Sequence, residues 1–235
     1  MLDRLRASFS DRRILVIASL ALLTLFTLAM LAARMAYTET RGHGWLAWNL
    51  FLAWIPFLLS LLVYARSRAG ARLRELAALG LLWLVFFPNA PYLLTDLKHI
   101  GGGGRVPLLY DVLLLSAGAW TGLLLGMTSL FLMHATARRL TGALNAWALV
   151  VGVLGLSSFG IYLGRVQRWN SWDVVVHPQS LANQVGGGLL HPLSHPRPLG
   201  LTMLLTTFLL VSYLVLYSFA RLGPEWPDAF DRTPR

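Results

Sequence analysis

The chain has 235 residues, 56% of them hydrophobic and 13% charged, with a mean hydropathy of +0.61, whereas soluble domains are roughly a quarter charged. Twenty Lys and Arg against ten Asp and Glu leave a net charge of +10. The Arg residues sit between apolar runs rather than along one polar face, which sets nucleic-acid binding aside and fits loop retention and anionic lipid headgroups as partners. With no cysteine, disulfides, thiolate metal sites and a Cys nucleophile are ruled out.

A bilayer core about 30 Å thick is crossed by roughly 20 apolar residues in helix. Six stretches meet that length, so the sequence predicts an all-α membrane protein: one membrane-embedded domain over residues 1–235, a bundle of about six transmembrane helices. The first span covers residues 14–33 behind Arg12 and Arg13; it is longer than a signal-peptide core and lacks a small-x-small cleavage site, so it reads as retained. The second, residues 45–64, carries aromatic residues at both ends and holds Asn49 and Pro56. The third, residues 75–94, meets Pro88 and Pro91, which must kink or unwind its last third. Residues 108–133 form the fourth, where Gly118, Gly122 and Gly126 recur every four positions and make a small-residue face for close helix packing. Spans five and six cover residues 143–164 and 199–220.

Between spans five and six, residues 165–198 hold Trp169, Trp172, three His, four Pro and three consecutive Gly. Such a stretch is too polar to cross and too aromatic to float free. The expectation is an interfacial segment with a short helix near residues 178–185, with a re-entrant path as the alternative. Placing the Lys and Arg on alternate sides puts thirteen on one side, among them the compact set Arg66, Arg68, Arg72 and Arg74. Seven fall on the other: Arg34, Arg41, Lys98, Arg105, Arg165, Arg168 and Arg197. The positive-inside rule then gives a multi-pass membrane protein with both termini cytoplasmic.

Against this apolar background two polar stretches stand out. One is Phe87-Pro88-Asn89-Ala90-Pro91-Tyr92 with Thr95-Asp96; the other runs from Gly164 through Arg165, Arg168, Trp169, Asn170 and Trp172 to Asp173. With Asn49 and with Tyr110-Asp111, they are predicted to reach one level at the extracytoplasmic side. One reading makes Asn49, Asn89, Tyr92, Asp96, Asp111, Arg165, Arg168, Asn170, Trp172 and Asp173 the lining of a cavity for a polar or anionic substrate. Freed carbonyls near the prolines, an Asn89, Tyr92, Asp96 stripe at i, i+3 and i+7, and forked Arg donors would serve it. The other reading is structural: an aromatic belt, snorkelling Arg, and Asp residues that cap helices or pair with Arg165 and Arg168. No metal site or cofactor is expected; His191 and His195 are four apart, but each is followed by proline, which spoils helical metal spacing. His134 is placed at a helix end, where a cation suits the dipole. Gly101–Gly104 read as a hinge, and Ser157-Ser158 have no base nearby in sequence.

The stretches FFPNAPYLLTDL (residues 86–97), Tyr110-Asp111 and GIYLGRVQRWNSWD (residues 160–173) resemble the bacterial membrane protein family catalogued as domain of unknown function 1361, over residues 49–216. The resemblance implies a multi-helix inner-membrane location and no particular reaction. It singles out Asn89, Pro91, Tyr92, Asp96, Asp111, Arg165, Arg168, Trp169, Asn170, Trp172 and Asp173. Three functions stay open: a membrane scaffold or assembly component, a small transporter of a polar or anionic solute, and a membrane-interface enzyme acting on a lipid-linked or envelope substrate. A homodimer or another membrane-protein partner accompanies the first two.

Overall fold

In a computed structural model, residues 2–40, 42–101, 106–166 and 196–221 are described. Among them the secondary structure is helical, and six helices are long and apolar enough to cross a membrane. The chain separates into two compact units, Met1–Thr136 and Ala137–Arg235.

The first unit opens with α1 (Leu2–Thr38), α2 (Trp45–Arg68) and α3 (Leu73–Phe86). After α3 the path shortens into α4 (Asn89–Tyr92) and a 3-10 helix (Leu93–His99), and α5 (Leu108–Thr141) follows, its residues from Ala137 on belonging to the second unit. Sequence-level span one ends at Ala33, but α1 continues to Thr38 and carries Arg34 inside the helix. Its charge is met by a partner, described below, so nothing forces the helix to stop there. Glu39, at φ 53°, supplies the left-handed residue that ends α1. α2 closes on a Schellman motif: Gly70 takes φ 80°, the Ala71 amide donates to the Arg66 carbonyl at 3.0 Å and the Gly70 amide to that of Ser67 at 3.4 Å. Across that turn the Arg66 guanidinium holds Glu75 at 2.6 Å.

Pro88 and Pro91 break span three as predicted. Because Pro91 has no amide hydrogen, the Phe87 carbonyl turns instead to the Ala90 amide at 3.1 Å. The Asn89 side-chain amide then donates to the orphaned Phe86 carbonyl at 2.9 Å. The freed backbone is thus satisfied locally, as membrane depth requires.

The small-residue face of α5 is filled by this broken segment and by α2. A Cβ on Gly118 would lie 2.9 Å from Leu46 Cδ1, and one on Gly122 would run into the Ala90 carbonyl oxygen and sit 2.7 Å from Leu93 Cδ1. A Cβ on Gly126 would meet the Ala90 methyl at 3.3 Å. The expected close packing is therefore present within the chain, and the face is not left for another protein. The surrounding core joins Leu20 and Leu31 of α1, Leu46, Leu50 and Phe57 of α2, Leu93, and Leu114, Leu115 and Leu125 of α5.

Deeper in the unit a polar relay crosses three helices. The Trp83 indole donates to Ser129 Oγ at 2.7 Å, and that hydroxyl donates to the Pro56 carbonyl at 2.9 Å. In lipid an unmet indole N–H or carbonyl is costly, so this relay ties α2, α3 and α5 together. Helix α5 runs to Thr141 rather than stopping at residue 133, so His134, expected at its end, lies buried two turns inside it.

The second unit contains α6 (Ala143–Val166) and α7 (Pro196–Phe219), which pack on one another. Ala146, Val150, Leu154 and Ile161 form the buried stripe of α6. Ser157 and Ser158 are buried beside it, and their hydroxyls have no hydrogen-bond partner among the described residues. The proposed interfacial segment, its short helix, and Gly102–Gly104 lie outside the described residues.

Candidate functional site

Helices α1, α2 and α5 and the 3-10 helix bring their polar residues to one end of the first unit, and each comes there for a local reason. Arg34 stands one turn before the end of α1. Asp111 sits in the first turn of α5. Asn49 is in the second turn of α2, and Asp96 lies midway along the 3-10 helix.

The strongest contact is an ion pair. Arg34 Nε donates to one Asp111 oxygen at 2.6 Å and Nη2 to the other at 3.1 Å, with both side chains 3% exposed. This forked geometry is the preferred one for guanidinium and carboxylate. Beside it Tyr110 donates its hydroxyl to the Met30 carbonyl at 2.7 Å, a second tie between α5 and α1. Asp96, 1% exposed, accepts from the Asn49 amide at 3.0 Å.

Two histidines complete the cluster. His43, in the turn before α2, is 8% exposed; its ring lies 5.8 Å from that of Trp45, which in turn lies 4.9 Å from that of His99. His99 Nδ1 stands 3.2 Å from the Asp96 carbonyl oxygen. Nδ1 of His43 has no hydrogen-bond partner among the described residues. Burial pushes the His43 imidazole pKa below its ordinary value, the Arg34 guanidinium pushes the same way, Asp111 opposes them, and His99 lowers it further. His43 is thus held neutral beside a permanent cation.

The sequence-level candidates divide accordingly. Asn49 and Asp96 meet directly, and Asp111 joins the same end of the unit through Arg34 and His43. Asn89 spends its amide on the Phe86 carbonyl, and the Tyr92 carbonyl accepts from Thr95 at 2.7 Å. From Leu93 the backbone winds at about three residues per turn, so the α-helical spacing assumed for an Asn89, Tyr92, Asp96 stripe does not hold as far as Asp96. Both Asp111 oxygens accept from Arg34, a partner that the sequence reading did not name for it. Arg165 belongs to the last turn of α6 in the second unit. Arg168, Trp169, Asn170, Trp172, Asp173, His191 and His195 lie outside the described residues.

Sequence reasoning missed Arg34, His43 and His99 as members of the cluster. Arg34 carried a signal: it immediately follows a full-length apolar run and falls at the same membrane level as Asp111. Among the described residues no group of three or more His, Cys, Asp or Glu could hold a metal ion. Chemically, the arrangement joins helices: the Arg34 fork and both oxygens of Asp111 are committed to each other.

A family profile described as "Protein of unknown function (DUF1361)" matches residues 48–212. Comparison with curated proteins and with solved structures yields no match.

Proposed function

The chain belongs to the DUF1361 family of proteins of unknown function, and from that premise we propose that it is a non-catalytic scaffold or assembly component of the bacterial cytoplasmic membrane, with both termini on the cytoplasmic side. The observation that carries this reading is the buried, bidentate Arg34–Asp111 pair. A transporter or an interface enzyme would keep guanidinium donors or carboxylate oxygens open to its substrate. Here Arg34 Nε and Nη2 and both oxygens of Asp111 engage each other in a pair 3% exposed, and a hydrogen bond from Asn49 to Asp96 ties α2 to the 3-10 helix. A joint of this kind holds a bundle in one shape, which is what an assembly component needs. The asymmetric Arg distribution, concentrated on the side of the termini, supports the orientation.

The test separates a joint from a working site. Replacing a buried ion pair with apolar residues of similar volume is often neutral or stabilising. The double variant Arg34→Met with Asp111→Leu is therefore expected to fold and to give the same cross-linked species in intact membranes as the unaltered protein. A folded double variant that loses those species would make the pair itself the working site and overturn the reading. So would an unaltered protein that forms no cross-linked species, with itself or with another membrane protein.

A further inference from the structure

At one end of the second unit, cations converge on a single phenol. Arg138, in the last turn of α5, donates Nη1 to the Tyr217 hydroxyl at 3.1 Å. Arg221, just beyond α7, places its guanidinium carbon 4.6 Å from the centroid of the same ring. Tyr217 is held in place by aromatic neighbours: Trp147 meets it edge-on at 5.2 Å, and the wholly buried Tyr213 lies 6.0 Å away. Both Arg residues are exposed, and Arg139 follows Arg138 in sequence.

Each guanidinium could answer the dipole of its own helix end. That does not account for two of them sharing one ring, because like charges so close repel strongly wherever water is partly excluded. The described part of this unit contains no Asp or Glu at all. Exposed guanidinium donors, a phenol hydroxyl and a rigid aromatic wall at the end of membrane-spanning helices match a phosphate at the headgroup level.

We propose that Arg138, Arg221 and Tyr217 form a binding site for a phosphate group, supplied by an anionic phospholipid whose net charge offsets the paired guanidinium groups. The phosphate oxygens accept from the two forks, and the Tyr217 ring keeps the forks aligned. The acyl chains of such a lipid would lie along the exposed apolar side chains of α7, among them Val211, Leu214 and Val215.

The experiment is native mass spectrometry of the full chain in detergent, titrated with phosphatidylglycerol, with phosphatidylcholine, or with inorganic phosphate. Binding of one phosphatidylglycerol in preference to phosphatidylcholine is expected. It should weaken roughly tenfold or more in Arg138→Gln with Arg221→Gln, and stay unchanged when Arg68 and Arg72 of the α2–α3 turn are replaced by Gln. Tyr217→Phe, which removes only the hydroxyl, is expected to weaken it by roughly threefold and serves if the double variant does not fold. Competition by inorganic phosphate at millimolar concentration would identify free phosphate as a second source of the same ligand chemistry. Equal phosphatidylglycerol binding by the unaltered protein and both variants overturns the proposal. It is also overturned if lipid binds only after Glu225, Asp228 and Asp231 are neutralised, since carboxylates of the chain would then be the occupants.

Discussion

Asp111 and Arg34 show how much one residue's environment decides. Side by side in water the pair would contribute little, but buried and forked it links α1 to α5, and each partner depends on the other. Asp111→Asn alone leaves a buried guanidinium without its counter-charge. It is expected to destabilise the protein by about 3–5 kcal/mol, read as a fall in the detergent-solubilised unfolding temperature; the apolar double variant should recover that loss. His43 makes a pH prediction. Its folded-state pKa is depressed by burial and by Arg34, so between that value and about 6.5 the unfolded chain binds more protons than the folded one. Stability therefore rises with pH across that window, and the penalty is complete below the folded-state pKa. Unfolding temperatures should fall as pH drops from about 7 to 5, and His43→Gln should flatten that part of the profile.

At the scale of elements, the Pro88–Pro91 segment and the small-residue face of α5 explain one another. A regular helix presents Cβ atoms all round, whereas the broken segment presents the Ala90 carbonyl, and only glycine leaves room for it. Gly122→Ala should cost about 1–3 kcal/mol by overpacking. Gly152→Ala on α6 meets nothing within 4 Å and is expected to be neutral or slightly stabilising through helix propensity. Paired thermal melts check the contrast. The relay from Trp83 through Ser129 to the Pro56 carbonyl sits where no water can replace it. Ser129→Ala orphans a donor and an acceptor together and should cost about 1–3 kcal/mol. A melt indistinguishable from that of the unaltered protein would show that the relay holds nothing together.

At the scale of the whole molecule, the first unit gathers its polar joints at one end and its basic α2–α3 turn at the other. That polarity gives the orientation prediction a direct test, since the chain has no cysteine of its own. Thr40→Cys and Ile100→Cys should react with a membrane-impermeant thiol reagent in intact spheroplasts, and Ala69→Cys only after lysis. The reverse pattern would place the termini outside.

Much of this protein is determined by the sequence alone, because the bilayer imposes its conditions locally. Apolar run length decides which segments cross, since every backbone amide in lipid must be met within its own helix. Pro88 and Pro91 break the third span wherever it packs, and glycines every fourth residue announce a close approach without naming what approaches. The tertiary structure alone decided the partners. Asp111 and Arg34 are 77 positions apart, and which cation reaches a carboxylate depends on how far each helix extends and how it is rotated about its axis. The first helix ran one turn further than its apolar run, and that turn placed Arg34 against Asp111. Likewise, the shift from α-helical to 3-10 winding at Leu93 brought Asp96 to Asn49, a change of about 20° per residue that no spacing of residue types records.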